Sequence, residues 1–549
     1  MQLIHLNNVT VNFAGREIFR DLSWAIADRA RIGLMGPSGA GKSSLLRLIT
    51  GAVEPDSGQV RVQRGVSLGF LPQDVHLPPG RTLLEEAMVM PPKLAALDAA
   101  LAKVEAALAS PEVYGDERRL TQTLERQARL LDAYEEAGGP RFESKVREIL
   151  NLLGFSAADY ALDAETLSGG QKKLVLLARL AAQEPDVLLM DEPDNHLDVA
   201  SKRRLERFIA GYPGAVVIVS HDRYLLDEVA SEIAELEAGR LTIYPGNYTA
   251  YATERELRRL RQQQAYTAQQ KEIARIEAAI ARFEHWASLV VDERHIRQAR
   301  SRRRMLERME ERGEVIERVT ERRQMDLQLN GWRGSKKALE IEGLAAGFDD
   351  DLLFMDVDLL VRHGERVGLV GPNGIGKSVL FKIVLGQIDP LAGSVKVGNS
   401  TRIGYYSQEH QTLTPWLERT PLEMVRDIRP SSENAGVAVL LKFLFTYEQV
   451  RQPIRTMSGG ERSCLQLAAL MLQNPNLLLL DEPTNNLDIP SVEALESALE
   501  DFEGAVLVIS HDRYFLDQVV DRIVELTPEG LRSYEGGYTD YLLAAGHEA

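Results

Sequence analysis

Two copies of one phosphate-loop pattern, 335 positions apart, constrain this 549-residue chain more than any other feature. The first is Gly36, Pro37, Ser38, Gly39, Ala40, Gly41, Lys42 and Ser43, followed by Ser44. The second is Gly371, Pro372, Asn373, Gly374, Ile375, Gly376, Lys377 and Ser378. Each follows a short apolar run that reads as a strand (31–35 and 366–370) and opens an apolar run of helical period. The order has a physical meaning. Glycines let backbone N–H groups close around phosphate oxygens, and a helix N-terminus adds its positive end. Lys42 and Lys377 are expected to reach the β- and γ-phosphates, and Ser43 and Ser378 to ligate Mg2+.

The repeat continues downstream. Apolar runs at 187–190 and 477–480 end in Asp191-Glu192 and Asp481-Glu482. Unbroken apolar residues indicate strands buried on both faces of a parallel sheet. The carboxyl ends of such strands are where open α/β sheets bind ligands. Asp191 and Asp481 are expected to hold the cation, and Glu192 and Glu482 to act as general bases on the attacking water. A third strand pattern in each copy leads into His221 and His511, at the same sheet edge and within reach of the γ-phosphate. Ser168, Gly169, Gly170 and Gln171 open one further helical run, and Ser458, Gly459, Gly460 and Glu461 open its counterpart. Ser-Gly-Gly at a helix N-terminus is a second anion-binding device.

In this order, with Gln73 and Gln408 between phosphate loop and Ser-Gly-Gly, the motifs resemble ATP-binding cassette domains. The resemblance implies two ATP molecules sandwiched head to tail, each between one phosphate loop and the other cassette's Ser-Gly-Gly. It also implies Gln73 and Gln408 near the Mg2+, and Phe13 and Phe348 stacking on adenine. Site one would use Lys42, Ser43, Asp191 and Glu192 with Ser458 and Gly460. Site two would use Lys377, Ser378, Asp481 and Glu482 with Ser168 and Gly170.

Spacings locate where the copies differ. Lys to Gln is 31 in both, and Ser of Ser-Gly-Gly to His is 53 in both. Gln to that Ser is 95 in the first copy and 50 in the second. The excess lies in a stretch whose Leu94, Leu97, Leu101, Val104 and Leu108 follow helical spacing. Leu120, Leu124, Leu131 and Tyr134 suggest a return helix, so a helical arm is expected at about 90–137.

Between the copies, residues 254–323 hold 18 Lys and Arg against 13 Asp and Glu, in a chain of net charge −17. A basic segment between acidic domains points to an anionic partner. Ile273, Ile276, Ile280 and Phe283 form one helical stripe, and Met305, Met309, Ile316 and Val319 a weaker one. The period breaks at 286–296, the expected tip of two antiparallel helices. Beside it cluster Arg294, Arg297, Arg300, Arg302, Arg303 and Arg304. Met1 runs into a strand-like pattern, so no secretory leader is expected. No apolar run reaches the ~18 residues of a membrane helix. Cys464, the single cysteine, excludes intramolecular disulfides, thiolate zinc sites and iron–sulfur clusters, and a cytoplasmic location follows.

Twin cassettes, an insertion in the first and a charged helical linker are similar to the ABC-F family. Leu-Asp at 197–198 and 487–488, Ser-His-Asp-Arg-Tyr at 220–224 and 510–514, and the Tyr-Pro-Gly-Asn-Tyr ending at 244–248 strengthen the likeness. The expected fold is α/β, with cassettes at 1–247 and 331–549 and a helical-hairpin linker at 248–330. The likeness implies an ATPase that binds the ribosomal exit site, touching ribosomal RNA and tRNA. Its linker would reach toward the peptidyl-tRNA and the peptidyl-transferase centre. Roles in ribosome rescue or antibiotic resistance are compatible. A monomer closing as an intramolecular sandwich is implied, with no membrane partner. The alternatives are a fused pair of transporter ATPase subunits and a DNA-repair ATPase. One position departs from the family: Asp194 stands where Thr is usual. It would add a carboxylate near the first site's Mg2+ and make the two sites unequal.

Overall fold

The computed structural model describes residues 1–13, 16–37, 39–289, 293–311, 325–348 and 351–545. It separates into two compact units, 1–243 with 324–549, and 244–323.

The first unit holds both cassettes. The central sheet of cassette one runs in the order Leu68–Leu71, Val187–Asp191, Ala215–Val219, Arg31–Met35, Glu232–Glu237 and Arg240–Pro245. That of cassette two runs Ile403–Tyr406, Leu477–Asp481, Ala505–Ile509, Arg366–Val370, Arg522–Thr527 and Gly530–Glu535. Every residue of Val187–Asp191 and Leu477–Asp481 is buried, which is why these strands read as unbroken apolar runs. Parallel pairing sets Asp191 beside Val219 and Asp481 beside Ile509. It also sets Leu34 beside Val219 and Leu369 beside Ile509. Phosphate loop, Asp-Glu and Ser-His therefore leave the sheet at one carboxyl edge.

A three-stranded antiparallel sheet covers each phosphate-loop helix: Arg16–Ala27, Gln2–Phe13 and Ser57–Val62 in cassette one, and Asp351–Arg362, Lys337–Phe348 and Ala392–Val397 in cassette two. Leu45 and Leu46 of helix Lys42–Ile49 share one core with Ile4, Phe19, Trp24 and Val217. Truncating such a leucine costs about 2–5 kcal/mol, and here it would loosen the helix that carries Lys42.

The insertion forms helices Pro92–Leu108 and Glu117–Glu136, joined through Pro111–Tyr114. Leu94, Leu101 and Val104 are buried as their spacing requires. The return helix departs from expectation, with Leu124 and Leu131 47% and 41% exposed. Its half-buried positions are Leu120, Thr123, Gln127, Leu130, Ala133 and Tyr134; all but Ala133 follow a 3-4-3-4 stripe in which Thr and Gln hide the apolar face from a hydrophobicity pattern.

The second unit contains helices Tyr248–Leu289 and Glu293–Glu311. The first, of 42 residues, is about 63 Å long at ~1.5 Å per residue. Ile276 and Ile280 are buried against half-buried Phe283. Arg302 lies 5.2 Å over the Phe283 ring, and Arg303 pairs with Glu284 at 2.7 Å. Met305 is 52% exposed, so the second stripe does not begin there. Ile316 and Val319 and the side chain of Met309 lie outside the described residues; of the expected tip at 286–296, residues 286–289 and 293–296 are helical instead, and 290–292 lie outside the described residues. No helix among the described residues is long and apolar enough to cross a membrane. The fold class is the one expected: two α/β cassettes, a helical insertion in the first and a helical linker.

Candidate active sites

Each phosphate loop closes on its lysine. Lys42 Nζ donates to the carbonyls of Gly36 and Pro37 at 2.7 and 3.2 Å, and Lys377 Nζ to those of Gly371 and Pro372 at 2.7 and 3.0 Å. Gly41 and Gly376, at φ of 98° and 99°, turn the chain into the helix. A Cβ at Gly41 would sit 2.4 Å from Ile18, so no side chain fits there. Gly39, Ala40, Gly374 and Ile375 complete the turns, and Ser44 occupies the first helical turn. Ser38 and the side chains of Phe13 and Phe348 lie outside the described residues.

The Ser43 hydroxyl stands beside Asp191, and that of Ser378 beside Asp481. In both aspartates Oδ1 is buried without a partner. A hydroxyl beside a carboxylate with one spare buried oxygen is a hard, all-oxygen donor set, and it fits Mg2+. Burial pushes the Asp481 carboxyl up to about 6 and raises that of Asp191 as well.

Glu192 and Glu482 follow their strands with φ of 50°, a left-handed conformation that re-aims each side chain at the sheet edge. The two are held differently. Glu192 Oε2 accepts from Gln73 Nε2 at 2.8 Å and Asn195 Nδ2 at 2.5 Å, and His221 Nε2 is 3.9 Å from Oε1. Glu482 Oε2 accepts the His511 backbone N–H at 3.2 Å, and His511 Nε2 lies 3.4 Å from Oε1. Gln408 is half-buried at the equivalent of Gln73. Burial pushes the Glu482 carboxyl up to about 7. Glu192 is raised by burial and then by the charges of Asp194 and Asp191. Burial, then Lys42 and Lys377, depress His221 to about 4 and His511 to about 3. Both imidazoles are thus neutral near pH 7, and their approach to the glutamates is not an ion pair.

Ser168 and Ser458 cap the helices Gly169–Ala181 and Gly459–Gln473. Each forms a capping box, the first with Gln171 and the second with Glu461. Gly170 must be glycine, because a Cβ there would lie 2.6 Å from the His196 carbonyl. The 196–198 loop thus packs on the first Ser-Gly-Gly, and it also meets the second phosphate loop. Asn373 Nδ2 donates to His196 O at 3.3 Å, and Asn373 N to Asp198 Oδ2 at 3.5 Å.

Sequence reasoning missed most of the groups that join the cassettes. Arg223 forks onto Glu496, and its repeat counterpart Arg513 forks onto Glu206. Arg223 lies 4.1 Å over the Tyr514 ring and Arg513 4.8 Å over the Tyr224 ring. The signal was present: Arg223 and Arg513, and Glu206 and Glu496, stand 290 positions apart, as His221 and His511 do. Asp194 is 4% exposed, which excludes a solvated side chain pointing away from the protein. It shares a buried charge group with Asp222 and Lys202, lies beside Ser220, and keeps Oδ1 unpartnered.

Of the linker arginines, Arg297, Arg300, Arg302, Arg303 and Arg304 are exposed, and the side chain of Arg294 lies outside the described residues. Arg302 and Arg303 are engaged within the hairpin itself, on Phe283 and Glu284.

Comparison with known proteins agrees with this architecture. A family described as ABC transporter matches residues 19–195 and 354–485, and a second of the same description matches 234–329. The energy-dependent translational throttle protein EttA of Haemophilus influenzae is 34% identical over 96% of this chain and 92% of its own length. ABC transporter F family member 2 of Arabidopsis thaliana is 32% identical over 98% of this chain and 78% of its own. The archaeal ribosome recycling factor aABCE1, solved with the stalk protein aP1, superposes with a TM-score of 0.60 at 19% identity. That match covers 98% of this chain and 92% of the other and shows the likeness of fold. The cassettes bind ATP and the protein is an ATPase. With two such cassettes, the intervening linker and full-length relatives of this kind, the chain belongs to the ABC-F family.

Proposed function

We propose that this protein is a cytoplasmic, monomeric ATPase whose cassette pair acts as an ATP-operated clamp on the ribosome. The observation that carries the reading is the mirrored set of ion pairs between cassettes, Arg223–Glu496 with Arg513–Glu206, which suits two cassettes closing on each other within one chain. A relative named a translational throttle and a fold shared with a ribosome recycling factor support the ribosome as partner. The cassettes are taken as 1–247 and 331–549, with the linker at 248–330 between them. The exposed arginines of the linker suit rRNA and tRNA phosphates, because guanidinium forks bind two oxygens at once. At about 63 Å, the first linker helix is long enough to approach the peptidyl-tRNA from the exit site.

In this reading Glu192 and Glu482 take the proton of the attacking water, burial having raised both carboxyls and so made each a stronger base. His221 and His511, neutral, sense the γ-phosphate by hydrogen bonding. Lys42 and Lys377 leave their loop carbonyls for the β- and γ-phosphates. Ser168-Gly169-Gly170 and Ser458-Gly459-Gly460 cap the phosphates from the opposite cassette. Ser43 with Asp191, and Ser378 with Asp481, would hold Mg2+, aided by Gln73 and Gln408. That ion would neutralise charge on the β- and γ-phosphates.

Ribosome co-sedimentation of Glu192→Gln/Glu482→Gln with ATP tests the reading, with liposome flotation and duplex-DNA binding alongside. Retention on ribosomes alone is expected. Retention on liposomes or DNA instead would replace it with the transporter or DNA-repair alternative.

A further inference from the structure

The two Arg–Glu forks mirror each other across the interface; the contact made by Lys202 does not. Lys202 Nζ, nearly buried, donates to Asp222 Oδ2 at 2.8 Å and crosses to the other cassette to donate to the His511 carbonyl at 3.1 Å. His511 in turn gives its own N–H to Glu482. At the repeat positions of Lys202 and Asp194 stand Val492 and Thr484. Valine carries no donor, so the His221 carbonyl receives no equivalent bond. A lone buried ammonium is costly unless paired. Asp222 and Asp194 supply that pairing and hold the Lys202 ammonium charged against the penalty of burial. Lys202 pairs directly with Asp222, Asp194 adds a second negative charge to that buried group, and cassette two has neither Lys202 nor Asp194 at the repeat positions.

We propose that Lys202 is a positioning residue for the second ATP site, supplied in trans by the first cassette, and that it fixes the His511 backbone that holds Glu482. The inference rests on the reading of Glu482 as the base of that site. It makes the coupling between cassettes directional: closure of cassette one orders site two through a bond that site one does not receive in return.

Lys202→Met alone would leave two carboxylates buried beside each other, so loss of activity there would not distinguish positioning from misfolding. Asp194→Thr/Lys202→Val removes one charge of each sign and installs the pair already housed at 484 and 492. With Glu192→Gln silencing site one, the double variant should lower kcat about tenfold with KM for ATP unchanged, the scale of one charge-assisted hydrogen bond. With Glu482→Gln silencing site two, kcat should not fall. Backbone hydrogen exchange at 510–513 should rise in the double variant with both glutamates intact, which decides the matter even where silencing one site stops both. Equal losses in the two backgrounds, or exchange at 510–513 unchanged, would overturn the proposal. Wild-type hydrolysis by Glu192→Gln/Glu482→Gln would instead remove the general-base reading beneath it.

Discussion

The two strand-end glutamates share a strand, a register and a φ of 50°, yet they face different surroundings. Glu192 is held by two side-chain amides and its side chain is 16% exposed. Glu482 is 6% exposed and is held by the backbone of the histidine beside it. The repeat determines where each carboxylate sits; the unmatched residues determine what it feels. Asp194 against Thr484 and Lys202 against Val492 put a buried ammonium and an extra buried carboxylate in cassette one and neither at the matching positions of cassette two. Lys173 Nζ holds the Glu192 carbonyl at 2.8 Å, while Ser463 stands at its counterpart. Asp194, which raises Glu192, and a Lys202 donor aimed at site two both favour turnover at site two.

The largest effect expected is from Glu192→Gln/Glu482→Gln. Gln keeps shape and hydrogen bonding but takes no proton, so steady-state hydrolysis should fall by about a hundredfold or more while ATP binding persists. Next is the mirror itself. Arg223→Ala leaves buried Glu496 unpaired and Arg513→Ala leaves half-buried Glu206 unpaired, each at a cost of up to about 3–5 kcal/mol. ATP-dependent closure followed by scattering should weaken equally in the two, and unequal losses would break the symmetry that the paired forks imply.

A smaller effect is set by pH. Burial holds Glu482 protonated until about pH 7, and only the carboxylate is a base. With Glu192→Gln as background, turnover should therefore fall as pH drops below about 7, by roughly tenfold per unit. A flat profile through that range would mean that another group takes the proton. Smallest is Asp194→Thr, which removes a charge that raises Glu192. With Glu482→Gln as background it should raise site-one turnover about twofold to threefold, the scale of one screened charge. No change would confine Asp194 to its pairing with Lys202.

Much of this architecture is legible in the sequence. The phosphate loops, Asp-Glu strands and capped Ser-Gly-Gly helices depend on local backbone chemistry, which a motif records. The first insertion helix is legible because Leu94, Leu101 and Val104 are apolar. The inward face of its partner is not, because Thr123 and Gln127 share that face. Lys202 escapes because its partners, Asp222 and the His511 carbonyl, are 20 and 309 positions away. Its only trace in the sequence is a mismatch between copies. The basic linker is visible as composition, but the positions of Arg302 on Phe283 and Arg303 on Glu284 are tertiary. A charge-reversal test of phosphate binding therefore belongs at Arg300 and Arg304.

The inequality of the sites is tested most directly by steady-state ATPase rates of Glu192→Gln and Glu482→Gln measured side by side. The account predicts that Glu482→Gln removes the larger share of turnover. Equal losses, or a larger loss from Glu192→Gln, would contradict it.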